Sequence, residues 1–348
     1  MKPTNVLSLT AIAAIATLAL TGCVAGEGSA LGADTASTEK VAKGWSTDVL
    51  NIDFATYNPL SLVIKDQGWL EEELADQDIT VNWVQSAGSN KANEALRAGA
   101  IDIGSTAGSA ALLARSNDSP IQTIDVYSQP NWAAILVPAG SEITEVADLA
   151  GKSVAATKGT DPYFFLLQAL AEADVPLADV DVQNLQHADG KAALENGAVD
   201  AWSGLDPLLS TSVATAGSKV IYDNIDFNSY GFLNATEAFL AESPDLAQLV
   251  VNAYEKAREF ALENPDKTVA ILAEVAGIDP SIASRTLTER TNLDIDPVPG
   301  KAQADVLKVI GPIFVESGDV ANQDKIDAAL DTLFEPKYAE NADPSAIG

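Results

Sequence analysis

The sequence contains few of the side chains that most often carry metal and redox chemistry. Its 348 residues include one Cys, one His and one Met. A single Cys excludes an internal disulfide and a cysteine-based zinc site, and a single His excludes a histidine-rich metal site. We therefore expect no metal and no cofactor.

Basic residues are scarce as well. The chain has 20 Lys and Arg against 50 Asp and Glu, a net charge of −30. Such an acidic chain repels phosphate backbones and anionic lipid, which excludes nucleic-acid binding by counterion release and a basic membrane-surface role. Apolar residues make up 47% and charged residues 20%, a composition typical of a globular protein. The length predicts two or three folding units.

The N-terminus has the pattern of an export signal. Lys2 precedes an uncharged stretch at 6–20, and Leu20-Thr21-Gly22-Cys23 follows. Fifteen residues of helix reach about 22 Å, short of the roughly 30 Å of a hydrocarbon core, so the stretch indicates a signal peptide (1–22). The last four residues resemble a bacterial lipobox, which implies lipid attachment at Cys23; an ordinary signal peptide with an incidental Cys is the alternative. Small and polar residues then predict a flexible tether, so that 23–47 form the lipidated Cys and tether.

An internal repeat organises the middle of the chain. The pattern Ala-Leu, Gly, Ile/Val-Asp, Ser at 95–105 recurs 98 residues later at 193–203. Each copy reads as a helix end, a Gly cap and a short buried strand, with a strand, a helix and a second strand before it. Two βαβαβ units predict parallel sheets covered by helices. After Asn224 we expect helices at 245–263, 265–276, 280–288, 301–316 and 324–334.

Small and capping residues mark the places where a ligand would bind. In open parallel sheets, ligands collect at the carboxyl ends of strands, where helix N-termini present free N–H groups. The segments of this kind are 57–59, 86–89, 104–109, 159–163 and 202–207. Each helix N-terminus contributes about 0.3–1 kcal/mol to a bound anion, so several together could hold a small oxyanion without Arg. Ordinary capping of structural helices is the alternative.

Several motifs together resemble one family. They are the lipobox, the run that ends at Gly104, residues 148–152, Lys158-Gly159-Thr160, and 197–202 followed by Asp206-Pro207. They are similar to the substrate-binding proteins of ABC importers for aliphatic sulfonates, taurine and nitrate, over about 48–335. The resemblance implies an α/β, two-lobed type II periplasmic-binding-protein fold, each lobe a mostly parallel sheet flanked by helices. Lobe 1 would comprise 48–137 plus 232–348, and lobe 2 would comprise 138–231.

The resemblance and the residues together give the candidate ligand contacts. The family's head-group loops map onto Ser86, Ser105, Thr106, Thr160 and the turn from Trp202 to Asp206. From the residues themselves we add aromatic pocket candidates, a polar cleft candidate and the single His near a strand end. The full set of substrate-binding candidates is Tyr57, Asn58, Ser86, Ser105, Thr106, Gln129, Thr160, Asp161, Tyr163, His187, Trp202 and Asp206.

Asp161 departs from the family pattern, which often has a small neutral residue there. A carboxylate 4 Å from a sulfonate would cost about 4 kcal/mol at an effective dielectric near 20. Asp161 therefore either caps its helix, with Pro162 at the first helical position, or contacts a cationic group of the ligand.

The sequence thus predicts an extracytoplasmic solute-binding lipoprotein and not an enzyme. It would be a monomer, anchored by lipid on the outer face of the bacterial cell membrane, and would deliver a small sulfonate-type or related anionic or zwitterionic solute to an ABC permease. The alternatives are an enzyme or a sensor on the same scaffold, or a binder of a thiamine-type pyrimidine. We expect no catalytic residues and no nucleic-acid partner.

Overall fold

The computed structural model describes residues 46–348. The predicted signal peptide, Cys23 and nearly all of the tether lie outside the described residues. No helix within 46–348 has the length and apolar character needed to cross a membrane.

The first sheet has six strands, and the three at one side of it pair in parallel. β1 pairs in parallel with β2 and β3, while β10 runs antiparallel to β3 on one side and to β4 on the other. In spatial order the strands are β11 (Thr291–Asn292), β4 (Ile121–Pro130), β10 (Gly231–Thr236), β3 (Ile103–Ala107), β1 (Val49–Phe54) and β2 (Thr80–Gln85).

The second sheet has five strands arranged in the same way. β6 pairs in parallel with β7 and β8, and β5 runs antiparallel to β8 and β9. In spatial order the strands are β7 (Asp181–Asn184), β6 (Ser153–Ala156), β8 (Ala201–Leu205), β5 (Ala133–Val137) and β9 (Lys219–Tyr222). The order β2-β1-β3 matches β7-β6-β8, as the internal repeat predicts.

Each sheet receives its antiparallel strand from a chain segment that has just left the other sheet. After β4 the chain passes from the first sheet through 131–132 into β5 of the second, and after β9 it returns through 223–230 into β10. The sheets are therefore mixed although most of their strands share one direction. Because β5 pairs within the second sheet, that sheet begins at Ala133; the division into two moving lobes stays a prediction.

Helices cover both sheets, and most begin at a recognisable signal. Pro stands at the start of α1, α9, α10 and α11, where its missing N–H costs nothing. The helices are α1 (Pro59–Gln67), α2 (Trp69–Ala75), α3 (Ser89–Arg97), α4 (Gly108–Ser116), α5 (Asp161–Glu172), α6 (His187–Glu195), α7 (Leu208–Ala216), α8 (Glu237–Glu242), α9 (Pro244–Glu263), α10 (Pro265–Ala276), α11 (Pro280–Glu289), α12 (Lys301–Glu316), α13 (Gln323–Thr332) and α14 (Lys337–Glu340).

Candidate functional site

A cavity of about 260 Å³ lies where the carboxyl ends of four parallel strands face one another across the two sheets. Thr56 and Tyr57 follow β1, and Ser86 and Ala87 follow β2. From the second sheet, residues 186–188 follow β7 and residues 206–208 follow β8. This is the edge at which open α/β sheets bind ligands.

Polar and apolar side chains both line the cavity. Side chains of Leu205, Leu208, Val275 and Ile278 form the apolar wall, the last two from the end of α10 and the residues after it. No Lys or Arg stands among the described residues that line the cavity, and Asp206 is the one acidic residue there. A larger and more apolar groove of about 360 Å³ lies between α5 and α12, away from every predicted site residue.

Four of the predicted contacts, from both sheets, meet in this cavity. Tyr57 and Ser86 approach it from the first sheet, and His187 and Asp206 approach it from the second. Contact of these four side chains with a ligand stays a prediction, since the geometry shows only that they line the same space.

The other predicted contacts lie outside the cavity, most of them in structural hydrogen bonds. Asn58 is the N-cap of α1, and Thr160, the N-cap of α5, donates to Thr157 O at 2.6 Å. Thr106 Oγ1 accepts from Asn234 at 2.8 Å. Tyr163 is packed against Phe164, and Gln129 lies half-buried on β4 beside β11.

Trp202, the residue that carried most of the family resemblance, is a core side chain. It is fully buried on β8 and packs with Leu194, Val199 and Leu209. A Cβ placed on Gly190 would lie 2.8 Å from its indole nitrogen, so the helix α6 approaches the ring closely because position 190 has no side chain.

Asp53 is a buried carboxyl group beneath the cavity that the sequence analysis missed. Its oxygens accept from the Ser105 N–H at 2.8 Å, from the Ser105 hydroxyl at 3.1 Å and from the Ser86 hydroxyl. Burial raises the pKa of Asp53 to about 7, although the serine hydrogen bonds act in the opposite direction. Tyr57 completes the network by donating to Ser105 O at 3.0 Å. Ser105 thus supports the cavity floor and does not line it.

Asp161 does not cap its helix, and its contact with a cationic group of the ligand stays a prediction. Thr160 is the N-cap of α5 and Asp161 is the first helical residue, so the capping hypothesis is wrong. The Asp161 carboxylate, which is 2% exposed, accepts from the hydroxyls of Ser109 and Ser229, from the Trp132 indole N–H at 2.8 Å and from the Ser229 N–H at 2.9 Å. Burial raises its pKa, against those hydrogen bonds.

The partners of Asp161 give it a structural role between the sheets. Trp132 and Ser229 lie on the two segments that connect the sheets, and Ser109 lies at the start of α4, on the first sheet's side. Asp161 itself starts a helix that follows β6 of the second sheet. One carboxylate therefore ties both connections and both sheets together, and its oxygens are already occupied.

Asp206 is also paired within the protein. The Arg290 guanidinium donates to Asp206 and, at 3.0 Å, to Asp223, and the Ser210 N–H donates to Asp206 at 2.9 Å. Burial raises the pKa of Asp206 while Arg290 counteracts that rise. No local pattern indicated Arg290, which precedes the two-residue strand β11 and is brought to Asp206 by the packing of α11 against α7.

His187 stands at the N-terminus of α6 and is 3% exposed. Burial lowers the pKa of His187 to about 4. Its Nδ1 lies 3.2 Å from Thr157 Oγ1, and its Nε2 would lie 3.0 Å from a Cβ on Gly88, just before α3. The N-terminal ends of α3 and α6 thus approach each other from opposite sheets, so their free N–H groups favour negative charge in the cavity. Within 46–348 no group of three or more His, Cys, Asp or Glu could hold a metal ion.

Comparison with known proteins gives consistent matches. Residues 61–268 match the model of the family described as NMT1/THI5 like. The chain is 29% identical over 270 residues to an aliphatic sulfonates-binding protein of Escherichia coli (strain K12), covering 77% of this chain and 84% of that protein. The crystal structure of the periplasmic aliphatic sulphonate binding protein SsuA from Escherichia coli superposes with a TM-score of 0.69 at 26% identity, over 84% of this chain and 93% of that one. The alkanesulfonate-binding protein SsuA from Xanthomonas axonopodis pv. citri, bound to MOPS, gives a TM-score of 0.73 at 24% identity, over 81% and 98% of the respective chains.

Proposed function

The chain belongs to the NMT1/THI5-like family, and from that premise we propose that it is an extracytoplasmic solute-binding protein of an ABC importer. It captures a small sulfonate-type or related anionic or zwitterionic solute between its two lobes and delivers that solute to a membrane permease. The relatives named for sulfonate binding favour this function over an enzyme or a pyrimidine binder.

The observation that carries the proposal is the cavity between the sheets. Its volume of about 260 Å³ suits a small solute, and its apolar wall suits a short carbon chain. The N-terminal ends of α3 and α6 supply N–H groups for an oxyanion, so no Lys or Arg is required in the cavity wall. Screening keeps the distant surface carboxylates from opposing such an anion, because the Debye length is about 8 Å at physiological salt.

The groups in the cavity support binding and not catalysis. Burial holds the pKa of His187 at about 4, so its ring is neutral and does not serve as an acid near pH 7. Asp206 is neutralised by Arg290, and Asp53 is engaged with two serines. Neither carboxyl group is free to act as the general base that acid–base catalysis would need.

We further propose how the protein is held and how it moves. Cys23 carries the lipid that anchors the protein, as a monomer, on the outer face of the cell membrane. The segments 131–132 and 223–230 act as the hinge about which a lobe that carries the first sheet and a lobe that carries the second sheet (133–222) close on the solute.

Thermal unfolding in the presence of candidate solutes tests the function. We expect an alkanesulfonate or taurine to raise the unfolding temperature, while nitrate and a thiamine-type pyrimidine have smaller effects. A ligand that binds only the folded state adds about 2.7 kcal/mol of stability at 100 times its Kd. If no sulfonate shifts the transition, the proposed solute class is wrong.

A pair of variants on one helix locates the binding. Ala188 is exposed and lines the cavity, whereas Ala192, one turn along α6, is exposed and does not. Ala188→Phe should fill the cavity and abolish the shift, and Ala192→Phe should preserve it. Equal shifts in both variants would place the solute elsewhere.

A further inference from the structure

His187 has one ring nitrogen without any partner in the described structure. Nε2 is buried and accepts or donates no hydrogen bond within 46–348. The ring lines the cavity, and Nε2 faces Gly88 on the opposite wall. A buried polar atom without a partner costs free energy, which a bound ligand can recover by supplying the missing hydrogen bond.

The hydrogen bond at the other nitrogen fixes which form of the ring is present. Thr157 Oγ1 lies 2.7 Å from Leu185 O and 3.2 Å from His187 Nδ1. A hydroxyl has one proton, and a carbonyl oxygen can only accept, so Thr157 donates to Leu185 O. The Thr157 oxygen is then an acceptor for Nδ1, and Nδ1 carries the ring proton.

Nε2 therefore carries an unpartnered lone pair, which faces Gly88 next to the cavity residue Ala87. The neutral ring has a single N–H, which Nδ1 uses, and burial keeps the second proton off. The groups around the ring do not reverse this: Thr157 lies behind it, Gly88 and Asn90 face it from the start of α3, and Gln186, Asp189 and Asp206 are on its own side. None of them is a cation.

Other polar atoms close to the His187 ring are acceptors too. Asn90 Oδ1 is buried without a partner and lies 2.9 Å from the same Cβ position on Gly88. Gln186 Oε1 is also buried and unpartnered, and the Ser86 proton is donated to Asp53. An oxyanion placed against these atoms would set lone pair against lone pair, whereas a donor group would be bound by them.

We propose that the solute carries an ammonium or hydroxyl group that donates a hydrogen bond to Nε2 of His187. The substrate class is then an amino- or hydroxy-substituted small sulfonate, and not an unsubstituted alkanesulfonate. This inference rests on the proposed function and specifies its solute. The anionic group binds the helix N-termini, and the donor group binds Nε2.

Calorimetry with three sulfonates of equal chain length tests the donor requirement. Taurine and isethionate carry an ammonium and a hydroxyl where 1-propanesulfonate carries a methyl group. We expect taurine to bind wild-type protein at least about tenfold more tightly than 1-propanesulfonate, since a buried hydrogen bond to an ionised group is worth about 1.5–3 kcal/mol. Isethionate, whose hydroxyl is neutral, should bind about two- to tenfold more tightly than 1-propanesulfonate, since a neutral hydrogen bond is worth about 0.5–1.5 kcal/mol. Equal affinities would overturn the inference and leave the proposed function intact; no binding of any of the three would overturn both.

His187→Asn provides the variant, because its amide can still donate to Thr157 but does not reach Gly88. We expect the preference for taurine to disappear while the affinity for 1-propanesulfonate changes less than about threefold. A preference that survives the substitution would contradict the role of Nε2. Gln183→Asn, an exposed change on β7 outside the cavity, is the control that should keep the preference.

Nitrogen NMR measures the protonation state of the His187 ring directly and needs no variant. Because the chain has one His, an untagged protein gives one pair of imidazole ¹⁵N signals. We expect a neutral ring protonated at Nδ1 at pH 7, and an Nε2 signal that shifts on addition of taurine but not of 1-propanesulfonate. A ring protonated at Nε2, or an imidazolium in the complex, would overturn the inference.

Discussion

Replacing Asp53 by Asn should make the protein's stability less dependent on pH. Asp53 is fully buried beneath the cavity, and burial raises its pKa from an ordinary value of 3.8 to about 7. The protonated carboxyl is the form that the folded state favours, so the folded protein binds a proton that the unfolded chain has released. The resulting stability is fully present below pH 3.8 and is lost as the pH rises through about 7.

These two pKa values give the size of the effect. A difference of one pKa unit corresponds to 1.36 kcal/mol, so the wild-type protein should lose about 2.6 kcal/mol of unfolding free energy from this group between pH 5 and pH 8. Asn has the shape of the protonated acid, can still accept from the Ser105 N–H and does not titrate. The unfolding free energy of Asp53→Asn, relative to wild type, should therefore rise by about 2.6 kcal/mol over that range.

Urea unfolding followed by tryptophan fluorescence at pH 5, 6, 7 and 8 measures this difference. Subtracting wild type from variant removes the contributions of every other titrating group, including that of His187, whose lowered pKa has the opposite sign. Asp279→Asn is the matched control, since Asp279 is an exposed N-cap whose pKa is lowered and which stays ionised across the range. Parallel pH profiles for wild type and Asp53→Asn would refute the reasoning.

Two further substitutions separate structural roles from ligand contact. Asp161→Ala leaves the hydroxyls of Ser109 and Ser229 and the Trp132 N–H without their acceptor, which costs about 1–3 kcal/mol for each buried group. Urea unfolding should therefore show that the unfolding free energy falls by at least about 3 kcal/mol. A fall of less than about 1 kcal/mol would contradict the structural role. Trp202→Ala should lower the unfolding free energy by about 3–5 kcal/mol by emptying core volume, with sulfonate affinity of the folded protein unchanged in calorimetry. A loss of affinity with little loss of stability would instead place Trp202 at the site.

Local signals in the sequence were enough to predict most helices. The predicted helices at 265–276 and 301–316 match α10 and α12 residue for residue, and Pro265 marks the start of α10. The internal repeat predicted two βαβαβ units, and the structure has two sheets. Helix ends and strand repeats depend on residues that are close in the chain, so sequence patterns predict them well.

The antiparallel strands were harder to predict because they depend on distant partners. β4 carries Asp125, Ser128, Gln129 and Pro130, which interrupt any apolar pattern, and it was not predicted as a strand. Its side chain at Asp125 is buried near Arg258, a residue of α9 that also donates to Val126 O at 2.8 Å. An acidic residue whose buried partner lies more than a hundred positions away in the chain leaves no local pattern in the sequence.

Prediction of the site from the sequence is limited in the same way, because some of its contacts join distant segments. Tyr57, Ser86, His187 and Asp206, which were predicted from strand-end positions, line one cavity because the edge of a parallel sheet is fixed by topology, and their contact with a ligand stays a prediction. The sequence could not show that Asp161 is enclosed by hydroxyl and indole donors. Those contacts form only when the two connecting segments pack together.

The position of β10 between β3 and β4 constrains the order in which the chain can fold. β4 pairs with β10 and β11, both of which are synthesised more than ninety residues after it. The second sheet, by contrast, comes from one uninterrupted stretch, 133–222. A chain emerging from the ribosome can therefore complete its second sheet before its first. In the first sheet, the place of β10 between β3 and β4 stays empty until residue 236 has been synthesised. The half of the protein that is synthesised first therefore cannot close before the second sheet has been made.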